Sequence, residues 1–323
     1  MPRFARPHVY RQAARFHQGK KPDIPIRLVY NRPMSNLAFA LIVTSAVMHA
    51  LWNLLVKRSR HKTVFIWWMF VTSFVLFTAA LPLIPEPFHW PGTETLLMVA
   101  IGAVCFVLYH LLNGRAYQDG DLSVVYPLSQ TSMIYVPIWG VALLGERLSI
   151  HGVGGILLVM LGTFSVQMQR ITLAELARPF RDLNSPSVRA ALSAGFIYSI
   201  GSVAEKAGVR HYTPLYFTYF LIFSMLLLMT MNLSRSKYRI LIAEEWRENW
   251  RPILCSGPVV MASFLTFRYG LNLAPVGYAV AVRQVSIMVG VLIGVLFLRE
   301  AFGRIRLLSA LFIVAGAVLI RFG

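Results

Sequence analysis

Negative charge is scarce in this chain. Thirteen Asp and Glu stand against 31 Lys and Arg in 323 residues, and charged residues make up 14%, where a soluble domain carries about 25%. That deficit excludes an ordinary solvated surface. Cysteine is nearly absent. Cys105 and Cys255 both lie inside apolar runs, which excludes a disulfide framework or a cysteine metal site. No GxxxxGK[ST] phosphate loop occurs, so no ATPase of that type is built in. Asp119 and Asp121 lie near His110, but no second His or acidic partner completes a metal set. Neither a metal nor a cofactor is expected.

What the chain has instead is long apolar runs. It is 57% hydrophobic with a mean hydropathy of +0.61, and its charges cluster between the runs. Lipid cannot satisfy the edges of an open sheet, and the runs are continuous rather than alternating, unlike outer-membrane barrel strands. The pattern predicts an all-α polytopic membrane protein. Its partners are then a lipid bilayer and a small molecule rather than nucleic acid, because a net charge of +18 on such a protein marks its loops. Ten spans are predicted, at 36–56, 64–84, 94–117, 122–145, 150–168, 188–209, 213–233, 252–273, 275–298 and 303–321.

The stretch from Leu122 to Met168 returns 154 positions later. Gln130 falls on Gln284, Ser132 on Ser286, Gly140 on Gly294, Glu146 on Glu300 and Gly162 on Gly316, at one register without a gap. Apolar matches arise easily between apolar helices, but matched Gln, Gly and Glu do not. Upstream, at an offset of 149, His49, Asn53 and Lys57 are shadowed by Tyr198, Ser202 and Lys206. The chain reads as two halves, 36–168 and 188–321, joined by a linker at 169–187. Five spans per half is an odd number, so the second half enters the bilayer from the opposite side and the repeats are inverted.

Residues 1–33 hold eight Lys and Arg against one acid, Asp23, and lack an apolar core segment, so they are not a signal peptide. They read as a disordered basic tail or as sequence before a start at Met34. Ser234 to Arg251 mixes Ile240, Leu241, Ile242, Trp246 and Trp250 with Arg and Glu, a pattern suited to a helix lying in the membrane interface. The loops on one side of the bilayer carry 17 Lys and Arg and those on the other five: Arg147, Lys206, Arg210, Arg268 and Arg321. The positive-inside rule makes the richer side cytoplasmic and puts both termini outside.

Polar groups within spans face other helices or a cavity, because hydrocarbon leaves them unsatisfied. His49, Trp52, Asn53 and Lys57 recur at helical spacing on one face. They form a cavity wall or an interhelical bonding set, with Lys57 reaching the surface. His110, Asn113 and Tyr117 share a face of the third span. Tyr126, Gln130, Met133 and Pro137 stack on the fourth, where Pro127 and Pro137 are expected to kink the helix. Tyr198, Ser202 and Glu205 align on the sixth, Glu205 being either a proton-coupling group or a surface ion pair with Lys206 or Arg210. Glu146 and Glu300 are expected to bond the free amides of the helix that follows each. Gly290 and Gly294 make a face for close helix contact.

Arg283 lies about 12 Å into its span at 1.5 Å per residue. A guanidinium at that depth costs at least about 2.5–3.5 kcal/mol, so a cavity or a partner is expected. Its planar fork grips carboxylates. The repeat register sets Gln284 opposite Gln130. The prediction is a substrate with an anionic group held by Arg283 and flanked by Gln130 and Gln284.

The run from His49 to Lys57, HALWNLLVK, resembles the first span of EamA-type members of the drug/metabolite transporter superfamily. Tyr126-Pro127-Leu128-Ser129-Gln130, Leu144-Gly145-Glu146-Arg147-Leu148 and the second-copy ending Leu298-Arg299-Glu300 resemble that family too. The second copy departs from the pattern, with Arg299 where the first has Gly145 and no proline in the place of Pro127. The resemblance covers 36–321. It implies a ten-helix secondary carrier that works without ATP, commonly an exporter of small metabolites or amino acids, in the inner (plasma) membrane. Energy then comes from a proton or a substrate gradient. The competing readings are an integral membrane enzyme acting on lipids and a non-transporting scaffold or sensor.

Overall fold

A computed structural model of the chain describes residues 33–166, 168, 170, 172–180, 183–234, 236–298 and 303–323. Most of the basic tail, Arg299 and Glu300 lie outside the described residues. The described chain is helical, without a strand among the described residues. In the first half, α1 spans Asn36–Arg58, α2 Lys62–Ala80, α3 Thr93–Asp119, α4 Leu122–Ser129, α5 Ser132–Leu144 and α6 Ile150–Ser165. A short α7, Leu173–Ala177, lies in the linker. The second half holds α8 at Pro186–His211, α9 at Pro214–Leu233, α10 at Ser236–Leu273, α11 at Val276–Arg283, α12 at Val285–Leu298 and α13 at Arg304–Phe322.

The helix ends are written in the sequence. The Ser35 hydroxyl accepts the Ala38 amide at the start of α1, Ser149 accepts Gly152 at the start of α6, and Thr213 accepts Tyr216 at the start of α9. Each satisfies an amide that a helix leaves without a partner. Gly145 closes α5 at φ 65°, a left-handed conformation that glycine adopts without penalty. The Glu146 amide then folds back to the Gly140 carbonyl at 3.0 Å.

Among the described residues, seven helical stretches are long and apolar enough to cross a membrane. α6 is a shorter apolar helix. α8 carries Arg189, Glu205, Lys206 and Arg210 along its length, which depresses its hydropathy. Two of the predicted spans are not single helices. The span read as 122–145 breaks between α4 and α5, and the span read as 275–298 breaks between α11 and α12.

The helices of the two halves pack in matched pairs. α1 packs on α10 and, reciprocally, α8 packs on α3; α2 on α10 is matched by α9 on α3. The last helices of the halves, α6 and α13, pack on each other. There the backbones touch: a Cβ at Gly155 would lie 2.7 Å from the Gly316 carbonyl, and one at Gly162 would lie 2.6 Å from that of Ser309. Of the face expected from Gly290 and Gly294, Gly290 makes no such contact, for a Cβ there would meet nothing within 4 Å. Of the Ser234 to Arg251 segment, the part from Ser236 to Arg251 forms the beginning of α10, bent at Asn249 where φ is −127°. Its Glu245 accepts the His61 amide at 2.7 Å, and Trp246 lies against Trp68.

Candidate functional site

Both broken spans open at the repeated glutamines. Around Gln130 the backbone bonds tighten to three-residue steps, Gln130 to Pro127 and Met133 to Gln130, and around Gln284 likewise, Gln284 to Ala281 and Ile287 to Gln284. Proline does not dictate the break, since the second copy has Ala281 where the first has Pro127. Nor does Pro137 break α5, which runs through it. The two glutamines meet: Gln284 Nε2 donates to Gln130 Oε1 at 3.3 Å. Gln130 Nε2 in turn donates to Ser129 Oγ at 3.4 Å, and Ser129 Oγ lies 3.2 Å from the Tyr117 hydroxyl. Irregular backbone inside a membrane protein survives where protein or a water-filled cavity satisfies it, and discontinuous spans of this kind form carrier binding sites.

The model of the EamA-like transporter family matches residues 36–168 and again 186–322. The chain belongs to the EamA-like transporter family. It is therefore a multi-pass membrane protein of a family of small-molecule transporters, built on two repeats. One solved crystal structure, titled only as that of a protein, is similar over 87% of this chain and 95% of its own, with a TM-score of 0.68 and 17% identity. At that identity the likeness shows the fold alone. No curated protein matches the chain.

In this EamA-like transporter, Arg283 ends α11 beside α1. Its Nη2 lies 3.2 Å from His49 Nδ1, and its guanidinium covers the Phe267 ring at 4.2 Å. Its Nε is buried without a hydrogen-bond partner. Among the described residues no carboxylate comes within 4 Å of it. Trp52 stands edge-on to His49, ring centroids 4.7 Å apart, and its Nε1 is likewise buried without a partner. On α3, His110 contacts Tyr109, whose ring lies 4.9 Å from that of Tyr198 on α8, and Asn113 is buried with Oδ1 unpartnered. A buried polar atom without a partner costs about 1–3 kcal/mol. Three of the predicted site residues, Trp52, Asn113 and Arg283, each retain one.

Other predicted residues are placed differently. Asn53 is exposed, unlike Trp52 beside it. Ser202 is buried and spends its hydroxyl on the Tyr198 carbonyl one turn back in α8. Tyr126 is half-buried on α4, where its carbonyl accepts from Ser129 Oγ.

The buried charges required the largest corrections. Glu205 is not a surface group paired with Lys206 or Arg210. It is 2% exposed and forms an ion pair with Arg268 on α10, 2.7 Å away. Arg268, assigned from the sequence to a loop, is thus an interior residue. Its signal was its position directly after Phe267, between the apolar run that begins at Val259 and Tyr269. Lys206 is wholly buried too, and its Nζ donates to the carbonyls of Leu271 at 2.6 Å and Ala274 at 2.8 Å, closing the end of α10. Glu146 does not serve α6, which Ser149 caps. Its Oε2 accepts the Val276 amide at the start of α11, while Oε1 takes Arg210 at 2.9 Å.

Proposed function

We propose that the chain is a secondary carrier of a small organic metabolite with an anionic group, such as an amino acid or an organic acid, working without ATP by alternating access. In this reading ten passages form two inverted five-helix halves, 36–168 and 188–321, joined through 169–187, in the inner (plasma) membrane. Loop charge gives both termini a non-cytoplasmic position. The direction of flux follows the gradients, and the protein exports where the metabolite accumulates inside.

The observation that carries the reading is Arg283. It is a cation held at the break of a span, with a buried donor unspent and no carboxylate within 4 Å among the described residues. A substrate carboxylate supplies the missing acceptor. Gln130 and Gln284 flank it, Trp52 adds a flat wall and a donor, and Asn113 adds an acceptor. His110, Tyr126 and Tyr198 complete the polar lining, and Asn53 and Ser202 stay at its margin.

The test is exchange in proteoliposomes with a labelled panel of amino acids and mono-, di- and tricarboxylates. Arg283→Lys keeps the charge but loses the fork, so exchange of the best carboxylate falls, by about tenfold for a loss of about 1.4 kcal/mol. Arg283→Gln falls further and shifts preference towards neutral members. Parental exchange of carboxylates by both variants refutes the reading.

A further inference from the structure

The contact between His49 and Arg283 suits one protonation state of the ring. A guanidinium carries donors only. With Arg283 Nη2 3.2 Å from His49 Nδ1, a hydrogen bond between the two requires that nitrogen to accept, which is the neutral ring with its proton on Nε2. An imidazolium would set a donor and a second positive charge against the arginine. In the geometry described, the free carrier holds Arg283 on His49 only while His49 is unprotonated.

A carboxylate arriving at Arg283 changes both sides of this contact. It takes the guanidinium's donors, which frees His49 Nδ1, and it brings a negative charge beside the ring. Both effects favour a proton on His49. We infer that His49 is the proton site of the carrier, and that one proton bound at Nδ1 travels with one substrate carboxylate bound at Arg283. This rests on the anion-carrier reading above. The balance is simple: a proton from the aqueous phase adds to the Nδ1 lone pair on loading and leaves it on release, and the loaded pair adds no net charge to the carrier.

The surroundings give His49 few competitors. Arg283 faces it from α11 and His110 approaches from α3. α10 presents Phe267, and its Arg268 is committed to Glu205 on α8. α12 carries no ionisable residue, and α2 has only Lys62, in its first turn. Trp52, on α1 itself, covers the ring edge-on. Glu205, the carboxylate that the sequence offered as a coupling group, already has its counter-ion.

The experiment uses the full chain in proteoliposomes, with the labelled amino acid and carboxylate panel as probe and a pH dye in the lumen. An inward gradient of about two pH units coupled one to one supports up to about 100-fold accumulation. The expected result is uphill uptake of a carboxylate together with lumenal acidification. His49→Asn retains an acceptor near Arg283 but does not titrate. Its exchange is expected to fall, and the residue of it to ignore the gradient, with the accumulation ratio near about 1. His211→Asn, at the exposed end of α8 and outside the lining, is expected to keep both the parental exchange and its response to the gradient. Parental exchange without proton uptake, or uphill uptake by His49→Asn, overturns this inference alone. A parental protein that exchanges no member of the panel overturns the anion-carrier reading and this inference with it.

Discussion

Glu146, just past the end of α5 in the first half, accepts the backbone amide of Val276, the first residue of α11 in the second half, at 2.8 Å. Arg210 and Lys206 of α8 lie at 2.9 Å and 4.0 Å from its other oxygen. One buried carboxylate thus caps a helix of the opposite half, where the positive end of the helix dipole favours it, and gathers two cations around that junction. Lys206 extends the junction to the end of α10.

Removing that carboxylate strands buried charge. Glu146→Ala is expected to lower stability by about 3–5 kcal/mol, the cost of breaking a buried pair. Glu146→Gln, which keeps an acceptor for the Val276 amide, is expected to lose less. Thermal unfolding in one detergent orders the three proteins. A melting temperature of Glu146→Ala equal to the parent's would contradict the role.

Glu205 and Arg268 are each about 3% exposed in their side chains and form an ion pair across α8 and α10. Either single change, Glu205→Gln or Arg268→Gln, is expected to cost about 3–5 kcal/mol because it leaves the partner's charge buried. The double change is expected to recover part of that loss. A double-mutant cycle measures it, and additive losses would mean that the two side chains act independently.

The α6–α13 contact leaves no room for a Cβ at Gly155, whereas Gly290 is open. Gly155→Ala is expected to push the helices apart at a cost of about 1–3 kcal/mol. Gly290→Ala is expected to be neutral or slightly stabilising, since alanine is the better helix former. Equal effects at the two positions would rule out the close approach.

Of the five basic residues counted on the poorer side against 17 on the other, Lys206 and Arg268 prove to be buried rather than in loops, and the asymmetry that remains predicts a carboxy terminus outside the cytoplasm. A pair of carboxy-terminal reporters, one active only in the cytoplasm and one only beyond it, reads this directly. A strong cytoplasmic signal from the full chain would reverse the assignment.

The sequence by itself determined the class, the repeat and the family. Apolar run length fixes helices in a bilayer because the backbone must satisfy itself there, and the 154-residue register survived in the few residues that hydrophobicity alone does not explain. The same register marked Gln130 and Gln284, which prove to touch. What the tertiary structure decided was the partner of each buried charge. Glu205 found Arg268 sixty-three positions away, and Glu146 found an amide in the other half. Lys206 found carbonyls at the end of α10. Helical spacing reports which residues share a face of one helix. It does not report which foreign helix end that face meets, because the meeting depends on how the two halves dock. The helix breaks belong to the same class: proline pointed near one of them, but the other has none, and both fall at the positions where the glutamines of the two halves bond each other.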